Sequence, residues 1–251
     1  MTLPSPTYYH IALKDGESYS AAAYSDDDSF FADLVEAFRK EILALYDAGL
    51  RFLQVDDPNM TFFCDEEWLE TSREKRYDLD GLLDRYIDVH NAMLKDLPTD
   101  LRMGIHLCRG NMPDSTHISS GAYERIAERM LQRLNYEIYY LEFDSPRAGT
   151  FGPLRFLPKE KRVVLGIVTT KFPELEGLEE LEQRVYEAAG VIAKGQARDR
   201  DDVLMDNLAV SPQCGFSSMA LTGGKGFTSD IMWTKLTLLR DLARKIWKDA
   251  V

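Results

Sequence analysis

The sequence lacks the features that mark membrane, secreted and disulfide-stabilised proteins. Its 251 residues contain no apolar run that approaches the roughly 18 residues required by a transmembrane helix. The N-terminus, residues 1–6, has neither the basic nor the apolar region of a signal peptide. Three cysteines are too few and too scattered for a disulfide framework, so they are free thiols or metal ligands. We therefore expect a cytoplasmic protein with no membrane partner.

An excess of basic charge is also missing. The chain has 30 Lys and Arg against 42 Asp and Glu, which gives a formal net charge of -12 at pH 7. A protein that binds nucleic acid needs a basic footprint to neutralise phosphates, so nucleic acid is not an expected partner. The acidity is typical of a protein that stays in solution by charge repulsion.

What the sequence does contain is an alternation of strand-like and helical segments. We predict strands at residues 7–11, 51–58, 102–108, 137–143, 163–168 and 208–215. We predict helices at residues 31–45, 79–94, 120–134, 178–193 and 229–247. Several strands are apolar on both faces, which favours a parallel sheet covered by helices, an α/β fold.

The absence of a glycine-rich nucleotide-binding motif narrows the fold further. An open doubly wound sheet usually carries GxGxxG or a Walker motif after a strand, and neither is present. We therefore predict a (β/α)8 barrel of the TIM type, in a single domain over residues 1–251. Six strands are counted where such a barrel has eight.

One short segment points to a metal site. The predicted strand from Arg102 ends with His106 and Cys108, which are two residues apart and so project from the same face. One metal ion could accept both, with zinc the first candidate. Alone the signal is weak, because a His-x-Cys pair in a buried strand is more often part of the packing.

Other strand ends supply further ligands. In a (β/α) barrel the active site lies at the C-terminal ends of the strands. The polar residues that fall there are Asp56, Asp57, His106, Cys108, Glu142, Asp144, Lys171 and Cys214. Among them, one histidine, two cysteines and one glutamate form a ligand set suited to zinc. The predicted metal ligands are His106, Cys108, Glu142 and Cys214.

Five segments, in order along the chain, carry a resemblance to a known family. They are LQVDDPN (53–59), IHLCRGN (105–111), YLEFDSPRAG (140–149), VVLGIVTTKFPELE (163–176) and SPQCGF (211–216). They resemble the C-terminal catalytic domain of cobalamin-independent methionine synthase, most strongly its short single-domain relatives. The combination of His-x-Cys, a later Glu and Pro-x-Cys-Gly is fairly specific to that superfamily.

The resemblance implies a (β/α)8 barrel with a catalytic zinc ion. His106, Cys108 and Cys214 match the family's histidine and cysteine ligands, and Glu142 matches its carboxylate ligand. Asp56 matches the aspartate that holds the amino group of homocysteine. The implied reaction moves a methyl group from 5-methyltetrahydrofolate, usually polyglutamylated, to homocysteine and forms methionine. Glu142 is expected to be the ligand that yields, because a carboxylate is harder than thiolate or imidazole.

The chain departs from the family pattern at one residue of the candidate site. Full-length members carry Asp-x-His after the next-to-last strand, where this chain has Thr169, Thr170 and Lys171. A lysine cannot relay protons as a histidine does near neutral pH, so the methyl donor stays open. A lysine could instead meet an anionic part of the donor. We therefore count Lys171 and Arg109 as candidate substrate-binding residues.

The second departure concerns the strands. The match begins at the family's third barrel strand, so we expect the barrel to lack its first two βα units. Such an arc has two open edges, and we expect weak or absent turnover even with zinc bound, unless a homo-oligomer or another chain completes it or Met1 is not the natural start. Two alternatives therefore stay open: a zinc thiol methyltransferase with a different donor or acceptor, and a weakly active zinc-binding paralogue that acts by association.

Several other residues have simpler explanations. Arg109, Arg147 and Arg155 fit folate carboxylates and fold-stabilising ion pairs equally well. Asp57 is expected to cap local backbone, and Cys64 to be a small buried residue. The remaining histidines, expected in packing or at the surface, are His10, His90 and His117.

Overall fold

The core of the protein is one sheet of six parallel strands. A computed structural model describes residues 1–11, 18–110, 112, 116–219, 222–223 and 226–248. The strands are β1 (Thr2–Pro4), β2 (Phe52–Asp56), β3 (Arg102–Leu107), β4 (Ile138–Glu142), β5 (Arg162–Val168) and β6 (Leu208–Pro212). They lie in the order β1-β2-β3-β4-β5-β6, each parallel to the next. A short antiparallel pair, β7 (Ser217–Met219) and β8 (Thr222–Gly223), follows.

Helices separate successive strands, as the alternating pattern predicts, except between β4 and β5, where residues 143–161 form loops and two 3-10 turns. They are α1 (Tyr8–Ile11), α2 (Asp27–Asp47), α3 (Glu66–Glu74), α4 (Leu79–Leu94), α5 (Glu124–Arg133), α6 (Leu178–Gln196), α7 (Arg200–Asn207) and α8 (Ser229–Ile246). Short 3-10 turns occupy Met60–Cys64, Pro146–Ala148 and Gly152–Phe156. The prediction of a barrel-type α/β fold is confirmed. Within the described ranges, no helix combines the length and the apolar character needed to cross a bilayer.

The first predicted strand was wrong. Residues 7–11 form the helical turn α1, in which Ile11 N–H donates to Thr7 O at 3.3 Å. The strand lies earlier, at Thr2–Pro4, and Thr2 pairs with Gln54. Proline is tolerated at the end of an edge strand because no partner needs its missing N–H. Of the β-favouring residues of α1, Ile11 is buried, whereas Tyr8 and Tyr9 are exposed.

The two faces of the sheet have different surroundings. The side chains that point towards the helices are apolar and fully buried, among them Leu53, Ile105, Tyr139 and Leu165. Side chains alternate along a strand, and the register sets Asp56 beside His106 and His106 beside Tyr140 on the other face. That face carries polar residues towards the C-terminal ends of its strands, where the predicted site lies.

Candidate metal centre

The ends of three strands, β3, β4 and β6, bring the four predicted ligands together. His106 is the penultimate residue of β3, and Cys108 follows the end of that strand. Glu142 is the last residue of β4, and Cys214 lies two residues beyond β6. The three strand ends point the same way because the sheet is parallel, so residues far apart in sequence meet at one edge.

The ligand atoms are close enough to share one ion. The imidazole nitrogen, the two sulfurs and a carboxylate oxygen of His106, Cys108, Glu142 and Cys214 all lie within 4.8 Å of one another. Cys108 Sγ lies 3.7 Å from Cys214 Sγ, and His106 Nε2 lies 3.7 Å from Glu142 Oε1. Bonds to tetrahedral zinc of about 2.0–2.3 Å would set neighbouring ligand atoms roughly 3.3–3.8 Å apart. The two spacings of 3.7 Å fit that range.

The imidazole of His106 is turned so that one nitrogen is free for a ligand. Nδ1 lies 3.3 Å from the backbone oxygen of Tyr140, a contact that fixes the ring and directs Nε2 into the cluster. Nε2 is buried and has no hydrogen-bond partner. Metal-bound histidines commonly donate their other N–H to a carbonyl or carboxylate in this way. The donor set and this orphaned nitrogen both fit a metal ion.

Glu142 is fully buried and held at both oxygens. Its Oε1 accepts the backbone N–H of Arg109 at 3.0 Å, and its Oε2 accepts from Gln213 Nε2 at 3.0 Å. Arg147 Nη2 lies 3.6 Å from Oε2. Burial raises the pKa of Glu142 to about 7. The two hydrogen bonds give the carboxylate a defined orientation without a bound ion.

The other three predicted ligands, Cys108, Cys214 and His106, shift one another's pKa values. The contact with Cys108 and the nearby imidazole of His106 lower the pKa of Cys214 to about 4. Contact with Cys214 and burial raise the pKa of the Cys108 thiol well above its ordinary value. Burial lowers the pKa of His106, but the Cys214 thiolate and the neighbouring carboxylates outweigh it and bring the pKa to about 9. The protein alone thus favours a thiolate at Cys214.

Lys171 lies behind Cys108 and is fully buried. Its Nζ donates to the backbone oxygen of Gly110 at 2.7 Å, and the Gly110 N–H faces Cys108 Sγ at 3.4 Å. Gly110 has φ +89°, and a Cβ there would lie 2.4 Å from Ile118 Cγ1. Lys171 therefore supports the turn that follows His-x-Cys, and its contact with a substrate stays a prediction. Asn111, the last residue of the IHLCRGN segment, lies outside the described residues.

Asp56 stands at the wall of an open cavity beside the cluster. The cavity has a volume of about 350 Å³ and is lined by Thr2, Gln54, Asp56, His106, Tyr140, Leu141, Ser211, Pro212, Gln213, Cys214 and Gly215. Asp56 Oδ1 lies 3.8 Å from His106 Nε2 and has no hydrogen-bond partner. Partial burial raises the pKa of Asp56. A carboxylate in this position could receive a charged group of a ligand.

The adjacent carboxylate, Asp57, has a different environment. It is fully buried, and its Oδ1 accepts the backbone N–H groups of Asn59 and Met60 at 2.7 and 3.0 Å. Its Oδ2 accepts from Thr7 Oγ1 at 2.9 Å and lies 2.8 Å from His90 Nε2. The expected capping role is confirmed. The structure adds a buried pair with His90, which was expected only as a packing residue.

The arginines of this end of the sheet do not line the cavity. Arg109 is fully buried, and its guanidinium stacks 4.3 Å from the ring centroid of Tyr123. Arg155 pairs with Glu124 at the surface. Arg147 is mostly buried and lies 3.3 Å from Asp144 Oδ1. Ion pairing is therefore observed for Arg147 and Arg155, and substrate contact by Arg109 stays a prediction.

Two other minor expectations fall on described residues. Cys64 is buried away from the cluster, and burial raises its pKa to about 11, as expected of an inert packed thiol. His10 is buried in the packing, with Nδ1 2.9 Å from Tyr86 Oη. Sequence reasoning missed Gln213 as part of the site. It lies in SPQCGF beside a predicted ligand, but no pattern in the sequence identifies its partner.

The protein has a parallel sheet covered by helices, and histidine, cysteine and glutamate cluster where the strands end. These features define a barrel-type α/β protein with a candidate metal centre. Residues 20–226 match the family model described as the catalytic domain of cobalamin-independent synthase, and the chain belongs to that family. The resemblance seen in the sequence is confirmed.

Individual relatives agree with this assignment. YxjH of Bacillus subtilis, an uncharacterized protein, is 36% identical over 249 residues, which cover 99% of this chain and 61% of YxjH. A methionine synthase of Methanocaldococcus jannaschii is 26% identical over 196 residues, 77% of this chain and 52% of that protein. The chain therefore spans about three fifths or less of the length of these relatives.

A solved structure shows the same fold. It is a Listeria monocytogenes protein, provisionally assigned as a vitamin B12-independent methionine synthase, with a TM-score of 0.70 and 27% identity. The similarity covers 98% of this chain and 63% of that one. The fold of this chain is thus similar to that of a longer TIM-barrel-type relative.

Proposed function

We propose that this chain carries the catalytic centre of a zinc-dependent S-methyltransferase. It would move a methyl group from 5-methyltetrahydrofolate, with a polyglutamate tail on the preferred donor, to homocysteine and form methionine. In the net reaction the thiol S–H bond and the bond from N5 to methyl break, while an S–methyl bond and an N5–H bond form.

The observation that carries the proposal is the cluster of four ligand atoms within 4.8 Å at the C-terminal edge of the sheet. Its composition of two cysteines, one histidine and one glutamate suits zinc more than a hard cation such as magnesium. Membership of the cobalamin-independent synthase family and the likeness to methionine synthases support the same reaction.

The residues would act as follows. His106, Cys108, Glu142 and Cys214 would hold zinc, which lowers the pKa of a thiol bound to it and so yields a nucleophilic thiolate at neutral pH. Glu142 would be the ligand most readily released, because its carboxylate is the hardest donor of the four. Asp56, at the cavity wall beside His106, would bind the substrate's ammonium group by a charge-assisted hydrogen bond.

A second candidate keeps the thiol chemistry but changes the methyl donor or the acceptor. The observation that favours it is Lys171, which stands where the family has a histidine and is buried against Gly110 rather than exposed to the cavity. The proton left by the thiol then needs another acceptor, and Lys171 in this position does not offer one.

Metal analysis of the purified chain, combined with a methionine-formation assay, tests the proposal. We expect about one zinc per chain and methionine formation from homocysteine with a folate donor, faster with a triglutamate tail than with a monoglutamate tail. A panel of other methyl donors separates the two candidates. Absence of bound metal would overturn both. Bound zinc without turnover on any donor would instead support a zinc-binding paralogue that acts by association.

A further inference from the structure

Gln213 is a buried amide placed between two of the proposed metal ligands. It directly precedes Cys214 in the chain, only 2% of its surface is exposed, and its Nε2 donates to Glu142 Oε2 at 3.0 Å. A buried neutral side chain next to a carboxylate can orient that carboxylate without adding a competing charge. The Gln213 amide is therefore in a position to hold the Glu142 carboxylate in place.

The orientation of the amide follows from its other partners. The backbone N–H of Thr170 donates to the opposite end of the Gln213 side chain at 3.3 Å, and a backbone N–H can only donate. The atom it meets must therefore be Oε1. The hydroxyls of Thr169 and Thr170 lie 3.5 Å from the same atom. The amino group of Gln213 is left to face Glu142, as a donor.

The backbone of Gln213 is equally well fixed. Its N–H donates to Val168 O at 2.8 Å, just where the pairing of β5 with β6 shifts register between Gly166 and Val168. Gly166 permits this approach: a Cβ there would lie 3.0 Å from Gln213 Cα and 3.0 Å from Leu141 O. The shift in register and the missing Cβ together turn Gln213 towards Glu142.

The network extends from the site to the closing helix. The backbone N–H of Thr169 donates to Glu176 Oε1 at 2.7 Å, and Lys235 of α8 lies 3.0 Å from Glu176 Oε2. Lys235 is fully buried. The segment that orients the Gln213 amide is therefore anchored to α8 and is not a freely moving loop.

We propose that Gln213 is a positioning residue for Glu142. By holding Oε2, it leaves Oε1 as the one oxygen directed to the cluster, 3.7 Å from His106 Nε2. The Gln213 contact joins only protein atoms, so the carboxylate keeps this orientation whether or not it is bound to an ion. The inference rests on the proposed function only in requiring that the four residues hold a metal.

The test uses the full chain and its affinity for Zn²⁺ and Co²⁺, measured by competition with a chelator. Gln213→Met keeps the length of the side chain and removes both its donor and its acceptor. Loss of a partner that orients a metal ligand typically weakens metal affinity by about 10–100-fold, and we expect a loss in that range. The visible d–d bands of the Co²⁺-loaded variant should match those of Glu142→Ala rather than those of the wild type.

A double-mutant cycle separates positioning from a general effect on the fold. In the Glu142→Ala background, Gln213→Met should change metal affinity by no more than about twofold, because its target is gone. The matched control is Gln196→Leu, since Gln196 is a buried glutamine of α6 that donates to Leu157 O at 3.1 Å. It should lower the melting temperature without altering metal affinity or the Co²⁺ spectrum.

The outcomes distinguish this inference from the function on which it rests. If the wild type binds neither ion, the proposed metal centre fails. If the wild type binds and Gln213→Met binds equally well, or if its effect persists without Glu142, the positioning role is overturned. Should Gln213→Met not fold, Gly166→Ala displaces the Gln213 backbone while keeping its amide. It should also weaken metal binding, and unchanged affinity there would overturn the inference.

Discussion

Two buried clusters of the protein each join a histidine to a carboxylate, and they differ in whether their polar atoms are satisfied. In the first, Asp57 accepts four hydrogen bonds, and the second nitrogen of His90 lies 2.8 Å from Tyr136 Oη. In the second, His106 Nε2 is buried and has no hydrogen-bond partner, and Glu142 Oε1 lies 3.7 Å away. The first is complete as it stands, whereas the second has the spacing of a site that needs a ligand.

The hydrogen bonds of a buried histidine help to distinguish a structural residue from a functional one. Both clusters lie near the C-terminal ends of the strands, and both contain buried titratable groups. Burial alone therefore does not identify the site. The unpaired Nε2 of His106 does so because it lies among four potential ligand atoms, and an unpaired buried polar atom is costly unless something else binds it.

The largest effect is expected from Asp57→Ala, which breaks the satisfied cluster. Removing the carboxylate leaves His90, Thr7 and two backbone N–H groups without their acceptor, so we expect a loss of about 3–5 kcal/mol in the free energy of unfolding. Denaturant titration measures it. Asp56→Ala is the matched control, since that neighbour faces the cavity and should change stability by less than about 1 kcal/mol. Equal losses of unfolding free energy in the two variants would show that the hydrogen bonds of Asp57 do not stabilise the fold.

The next effect falls on the unsatisfied cluster. Cys214→Ala removes a proposed thiolate ligand. Loss of a residue that only hydrogen-bonds to a metal ligand already weakens metal affinity by about 10–100-fold, so we expect loss of the ligand itself to weaken zinc binding by more than about 100-fold. Glu142→Ala should weaken it less, because the carboxylate is the hardest donor of the set. Metal content after dialysis against a chelator measures both. Cys64→Ala, at a buried cysteine outside the cluster, should retain metal; the opposite ranking of Cys214 and Glu142 would reject the assigned roles.

A smaller effect separates the adjacent carboxylates by function. Asp56→Asn should raise the KM for homocysteine by about 10-fold, which corresponds to loss of one charge-assisted hydrogen bond of roughly 1.4 kcal/mol. The kcat should change less, and the melting temperature should stay within about 2 °C because the side chain faces the cavity. Steady-state kinetics of the zinc-loaded chain measure this. An unchanged KM would remove Asp56 from the substrate site.

The sequence predicts the four candidate ligands, but it does not predict the different environments of the two carboxylates beside them. The places of the four predicted ligands at strand ends follow from the two-residue spacing of His106 and Cys108 and from the geometry of parallel sheets. The distinction between Asp56 and Asp57 does not, because both occupy the same strand end. Only the fold brings Thr7 and His90 to Asp57.

Other features of the site depend on tertiary contacts that no local pattern encodes. Gln213 and Glu142 are 71 residues apart, and their hydrogen bond depends on a register shift between β5 and β6. Lys171 follows a strand as expected, yet its ammonium group turns inward to Gly110 O. The first strand was misplaced because the β-favouring residues 7–11 pack as a helical turn after two prolines. The β propensity of these residues did not determine their backbone conformation, which is helical.

The last and smallest effect is a pH dependence confined to the satisfied cluster. Burial raises the pKa of Asp57, but hydrogen bonds from His90, Met60 N–H and Thr7 outweigh it and hold the pKa below its ordinary value. The folded state thus binds the Asp57 proton less tightly than the unfolded chain, whose Asp pKa is about 3.9. The stabilisation is complete above that value and is lost as pH falls below it. The difference in unfolding free energy between wild type and Asp57→Asn should therefore narrow from about pH 5 to pH 3. A constant difference over that range would show that the carboxylate charge does not stabilise the cluster.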